Sequence, residues 1–119
     1  MPGVLQSHTL VTGGSGFLAR HLLPALPGTL VLIRQKAPWD GMSRLFEDNR
    51  AVPVYGDVKD PSGWSSRITS VSTIVHMAAL VRHSRRAAHE LYRTNVEGTL
   101  AMVRLAAQLG ARLVFISTS

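Results

Sequence analysis

Thr12-Gly-Gly-Ser-Gly-Phe-Leu-Ala19 is the stretch whose residue types and spacing could do chemistry. A glycine loop that follows a strand and opens a helix presents backbone N–H groups and a helix N-terminus to a pyrophosphate. Gly13 allows the tight turn, and Gly16 lets a phosphate approach the backbone. The spacing Gly-x-x-Gly-x-x-Ala puts Ala19 where a third glycine is usual, and alanine still permits close helix packing. Gly13, Ser15 and Gly16 are the candidate cofactor-binding residues of this loop. No Gly-Lys-Ser/Thr follows, which rules out a mononucleotide phosphate loop. A plain turn is the competing reading, and a strand before the loop with a helix after it weighs against that.

A second set of residues bears on which ligand. In a fold of this kind an acid about 20 residues beyond the first glycine binds the ribose 2′-hydroxyl, whereas a cation there accommodates a 2′-phosphate. Arg34 stands 21 positions after Gly13, with Lys36 close by and no acid until Asp40. The cofactor expected is therefore NADP(H) rather than NAD(H), against the alternative of a solvated strand-end arginine. Asp57 can accept from an adenine amino group or cap the following turn. Ala78 and Ala79 leave room for a flat ligand, or simply allow close packing. Asn95 and Gly98 in mid-helix cost ~1 to 1.5 kcal/mol relative to alanine, which points to a local task. His76 reads as a satisfied strand-end histidine rather than a base.

These residues need a scaffold, and the chain alternates strand and helix with no repeat and no low-complexity linker. His8–Thr12, Thr29–Ile33, Ala51–Tyr55, Val71–His76 and Arg112–Ser117 are short apolar runs expected to be buried parallel strands. Phe17–Leu26 carries helical spacing and is stopped by Pro27 and Gly28. Met42–Asp48 and Pro61–Arg67 are weak helical turns. Ser84–Leu109 is the longest helix, with Leu91, Val96, Leu100, Val103 and Ala107 on or near one face and Gly110 closing it. The pattern βαβαβαβαβ requires right-handed crossovers and a parallel sheet covered on both faces. The fold class expected is α/β, a Rossmann-type doubly wound parallel sheet cut off after strand five.

Composition narrows the function. At 119 residues the chain is expected to be one domain or part of one, residues 1–119, large enough to bury a core. No apolar run is long enough for a membrane span and the start lacks the layout of a signal peptide, so a cytoplasmic location is expected and a membrane partner is not. The absence of cysteine excludes thiolate chemistry, and the five histidines lack the spacing of a metal site. The net charge of +6 favours an anionic partner: nucleic acid, an acidic carrier protein or a phosphorylated small molecule. Arg82, Arg85, Arg86 and Arg93 crowd one segment, but no aromatics are interleaved to stack on bases, so nucleic acid is disfavoured.

Five blocks together resemble the extended short-chain dehydrogenases/reductases: TGGSGFLA, Gly56-Asp57, His76-Met-Ala-Ala79, Asn95-Val-Glu-Gly-Thr99 and VFIST, in that family's order and at its intervals. The resemblance covers nearly the whole chain. It implies that Phe17 and Leu18 give loop contacts, that Asp57 and Val58 lie against the adenine, and that Ala78 and Ala79 line the cofactor's central stretch. It also implies that Asn95 anchors the helix beside the active site. Thr118 would be the hydroxyl that hydrogen-bonds the substrate oxygen, with Ser119 the alternative if the register slips by one. The family's proton donor is the tyrosine of a Tyr-x-x-x-Lys pair whose lysine lowers the tyrosine's pKa. The only tyrosines here are Tyr55 and Tyr92, and YGDVK (Tyr55 to Lys59) matches the spacing by accident, at the adenine end.

The resemblance therefore implies the N-terminal NAD(P)-binding portion of a longer enzyme. VLIR, HMAALVRH and NVEGTLAMVRLAAQLGARLVFISTS look like the thioester and fatty-acyl reductases, which use NADPH to release acyl groups from a phosphopantetheine arm or coenzyme A. The expected substrate is a small-molecule or carrier-bound acyl group. Nucleotide-sugar epimerases and dehydratases are the alternative branch, and a non-catalytic NADP-sensing regulator of the same fold is a third reading. A strand edge left open after Ser119 invites association, which a homodimer would satisfy.

Overall fold

The computed structural model describes residues 5–6, 8–13, 21–33, 42–79 and 85–118. Its strands are β1 (Leu5–Gln6), β2 (Thr9–Thr12), β3 (Leu30–Ile33), β4 (Val52–Tyr55), β5 (Ile68–Thr69), β6 (Thr73–Ala79) and β7 (Arg112–Thr118). Its helices are α1 (Met42–Asp48) and α2 (Arg85–Leu109). Five strands form one all-parallel sheet in the order β4-β3-β2-β6-β7. The chain walks outward from β2 to β4, returns to lay β6 against the other side of β2, and walks outward again to β7. That is the doubly wound arrangement, and its direction reverses between β2 and β6.

Burial on both faces explains why inner strands such as β3 read as unbroken apolar runs, whereas β7, expected to be buried, lies at the sheet edge and leaves Val114 and Phe115 exposed. On one face Leu10, Leu30, Leu32, Val54 and Ile74 pack under Met102, Leu105 and Ala106 of α2. On the other, Val11, Val31, Ile33, Val75 and Met77 pack with Leu23 and with Phe46 of α1. Alternate residues of each strand feed opposite cores, as the period of two demands.

Several expected boundaries move. The fourth apolar run begins as a strand at Thr73 rather than Val71, because the N–H groups of Ser72 and Thr73 both donate to the His8 carbonyl (2.9 and 3.0 Å). It continues to Ala79. Of the expected first helix, residues 17–20 lie outside the described residues. His21 and Leu22 are helical, and the chain then tightens into a 3₁₀ turn at Leu23–Ala25, where Pro24 lacks the N–H that an α-helix would use. Pro61–Arg67 is two 3₁₀ turns, Pro61–Gly63 and Ser65–Arg67. The β1–β5 pairing, two residues on each side, carries no periodicity that sequence reading could catch.

The face of α2 is a larger correction. The stripe of Val96, Leu100 and Val103 is exposed, at 41%, 51% and 47%, and Tyr92 beside it at 57%. The sheet takes the smaller-residue stripe instead: Gly98, Met102, Leu105 and Ala106, with Asn95 and Thr99 half-buried on the same side. Helix α2 approaches so closely at Gly98 that a Cβ there would lie 2.9 Å from a methyl of Val58. Apolar spacing found a helix but did not say which stripe fits the sheet.

Trp64, 1% exposed, anchors the turn after β4. Its indole N–H donates to the Asp57 carbonyl at 2.8 Å, and the ring lies where a Cβ of Gly56 would be. Gly56→Ala should therefore lower stability by about 1–3 kcal/mol through overpacking, read as a shift of the denaturant midpoint at constant slope.

Candidate functional site

Ligands of doubly wound sheets bind outside the carboxyl ends of the strands, where the strand order reverses. Here that place lies between the ends of β2 and β6. Gly13 follows Thr12 directly, has φ +75°, and sits so tightly against β6 that a Cβ would overlap the Met77 carbonyl oxygen. Both features demand glycine. The turn after β2 is thus pressed onto β6, and the backbone leaves the sheet at the reversal point. Ser15, Gly16, Phe17 and Leu18 lie outside the described residues, as does Arg34, which follows the last residue of β3.

The residues expected along the rest of the site fall on the same sheet edge. Ala78 and Ala79 are the last two residues of β6, paired with Ser117 and Thr118 at the end of β7. Thr118 is therefore at the carboxyl edge, one strand from the reversal point. Ser119 lies outside the described residues. Asp57 and Val58 follow β4 at the far side of that edge. Asp57 accepts the Lys59 backbone N–H on Oδ1 at 2.9 Å, a turn-capping bond. Val58 is half-buried against the Gly98 backbone of α2. Tyr55 ends β4, which is separated from β2 by β3, so its spacing to Lys59 places neither residue at the reversal point.

His76 is the residue whose role sequence reading missed in part. Both its nitrogens are satisfied, as expected, but it lies in the middle of β6 and not at a strand end, because the strand continues to Ala79, and its partners tie together three elements. Nδ1 lies 2.6 Å from Thr12 Oγ1 on β2, and Nε2 lies 3.0 Å from Thr99 Oγ1 on α2. Phe115 of β7 covers it with ring centroids 5.8 Å apart at 42°. His76 is 3% exposed and Thr12 fully buried, and burial pushes the imidazole pKa down from its ordinary 6.5. In the neutral ring one nitrogen donates and the other accepts, and the two hydroxyls complement either arrangement. The signal for this was the alternation of β6, which puts His76 on the same face as Ile74 and hence under α2.

An open cavity of about 600 Å³ lies elsewhere, lined by His8, Thr9, Leu26, Gly28, Thr29 and Ser70 among others. Those residues mark the amino ends of the strands, the wrong end for a ligand of this fold. Among the described residues no cluster of His, Cys, Asp or Glu could hold a metal ion, and no helix is long and apolar enough to cross a membrane.

The family described as Male sterility protein, a family of NAD-binding domains, matches residues 11–119. A Drosophila melanogaster protein assigned as a fatty acyl-CoA reductase is 32% identical, over 96% of this chain and 26% of its own. Human 3 beta-hydroxysteroid dehydrogenase type 7 is 27% identical, over 92% of this chain and 32% of its own. Among solved structures, the dTDP-glucose 4,6-dehydratase DesIV of Streptomyces venezuelae, with NAD and TYD bound, superposes with a TM-score of 0.67 at 28% identity, over 88% of this chain and 37% of that one. The chain spans between about a quarter and two fifths of the length of these proteins.

The buried imidazole gives a pH signature to stability. Because the folded-state pKa is lowered, the unfolded chain binds a proton near pH 6.5 that the folded chain refuses. The contribution is complete above 6.5 and is lost as the pH falls from there through the lowered folded value. His76→Gln, which keeps a donor and an acceptor without a titrating group, should show a shallower loss of stability between pH ~7 and ~5 than the wild type in parallel denaturation series.

Proposed function

Because the chain belongs to the male sterility protein family of NAD-binding domains, within the extended short-chain dehydrogenases/reductases, we propose that it is the NADP(H)-binding part of an oxidoreductase reducing an acyl thioester or carbonyl substrate. The observation that carries this reading is Gly13 at the β2–β6 reversal, where a side chain would fill the space that the turn needs and where the fold class places a pyrophosphate. Ser15, Gly16, Phe17 and Leu18 continue the loop around the phosphates. Arg34 pairs with the 2′-phosphate. Asp57 receives the adenine amino group on Oδ2, its other oxygen being used by the Lys59 N–H. Val58 packs against the adenine ring, Ala78 and Ala79 line the central stretch, and Asn95 holds the helix beside the active site.

When bound, the nicotinamide supplies or takes up the hydride. Thr118 would orient the substrate oxygen by a hydrogen bond, and general acid assistance, worth roughly 10²- to 10⁴-fold, would come from a Tyr-x-x-x-Lys pair in a longer chain. The similarity to a fatty acyl-CoA reductase supports an acyl substrate. The similarity to DesIV, which holds NAD, supports the second reading, a nucleotide-sugar dehydratase or epimerase. The exposed stripe of α2 supports a homodimer, since a second copy could cover it.

A bidentate pairing of Arg34 with a 2′-phosphate should favour NADPH over NADH by roughly 1.5 to 3 kcal/mol, about tenfold to a hundredfold, and Arg34→Asp should remove that preference. Titration of both cofactors against both proteins measures it, and equal affinities in the wild type would remove the NADP(H) assignment. In a chain that carries the tyrosine–lysine pair, Thr118→Ala should lower kcat far more than it weakens NADPH binding, as steady-state NADPH oxidation with an acyl thioester would show.

A further inference from the structure

We propose that His76 is a positioning residue for the cofactor cradle, joining the end of β2 to the Asn95–Thr99 turn of α2 so that the glycine loop and the loop after β4 are held in one register. The inference rests on the reading of the carboxyl edge as a dinucleotide site, and deepens it. Thr12, one partner of the imidazole, is the residue immediately before Gly13, so the hydrogen bond at 2.6 Å fixes the point from which the loop departs. Thr99, the other partner, lies one helical turn after Asn95 and next to Gly98. Gly98 in turn rests on Val58, beside Asp57. The turn of α2 from Asn95 to Thr99 thus touches the loop after β4 through Gly98 and the strand before the glycine loop through Thr99 and His76.

Burial makes the link stiff. His76 and Thr12 are nearly or fully shielded from water, so neither can exchange its partner for solvent without leaving a buried polar group unpaired. A threonine in mid-helix ordinarily turns its hydroxyl back to the preceding carbonyl or to solvent. At Thr99 the hydroxyl reaches across to β6 instead. The alternation of β6 places His76 on the α2 face while its neighbour Met77 presents the carbonyl that Gly13 approaches, so one short segment carries both contacts that locate the loop.

Thr99→Val keeps the shape of the side chain and removes the hydroxyl, and Thr99→Ser restores the hydroxyl. Thermal melts first establish that each variant is folded. In titrations of the 119-residue protein, Thr99→Val should weaken NADPH and NADH by the same factor, about tenfold, because the link acts on the loops and not on the 2′-phosphate contact, and Thr99→Ser should bind nearly as the wild type. Thr12→Val should have a similar effect, and the double variant should be little worse than either single one, since both break a single link. Unchanged affinity in folded Thr99→Val, or strictly additive losses, would overturn the proposal while leaving the cofactor site in place. Failure of the wild type to bind either dinucleotide would overturn both. A measurement on the wild type alone guards against variants that do not fold: NADPH should shift the ring-nitrogen NMR signals of His76 and leave those of His8, at the opposite end of the sheet, where they are. Unmoved His76 signals with NADPH bound would refute the link.

Discussion

The structure depends on how closely β2 and the turn after it can be pressed onto β6. A parallel sheet that is wound outward in both directions from one pair of strands leaves a gap only at the carboxyl end of that pair, and the chain must leave the sheet there without filling the gap. Gly13 meets that constraint by its positive φ and by having no side chain to strike the Met77 carbonyl. Strands β6 and β7 run seven residues each and pair along their whole length. The register that follows brings Ala78 and Ala79 alongside Ser117 and Thr118 on the edge where the loop emerges.

Helix α2 packs against this edge. Its sheet-facing stripe contains residues that are poor choices for helix stability, Asn95, Gly98 and Thr99, clustered within one turn at the carboxyl end of the sheet. Toward its C-terminus the same stripe changes to Met102, Leu105 and Ala106, which serve the core. One half of the helix therefore packs and the other half touches the loops. The contact of Gly98 with Val58 explains why a glycine is tolerated in the middle of a 25-residue helix, since a larger residue would push the loop after β4 away from the sheet.

The fold was legible in the sequence because its inner strands are buried on both faces, and a run such as LVLI has no other soluble explanation as compact. Met42–Asp48 was placed with its observed bounds. What escaped was set by tertiary fit. The strongest apolar stripe of α2, through Val96, Leu100 and Val103, faces outward, because packing distance and not hydrophobicity selects the stripe that meets the sheet. Asp57 read either as a ligand group or as a cap, and the structure shows the cap on one oxygen. Trp64, which organises the loop after β4, has no local pattern to reveal it. The triad Thr12–His76–Thr99 joins residues 64 and 23 positions apart, a juxtaposition that only the assembled sheet creates.

The central claim is that a dinucleotide binds at the carboxyl edge of this sheet, at the β2–β6 reversal. Backbone hydrogen exchange of the protein with and without NADPH tests it most directly. The account predicts slowed exchange at Gly13 and the loop beyond it, at Asp57 and Val58, and at Ala78 and Ala79, with no change around His8, Gly28, Thr29 and Ser70. Protection confined to that opposite cavity, or none at all at saturating NADPH, would contradict it.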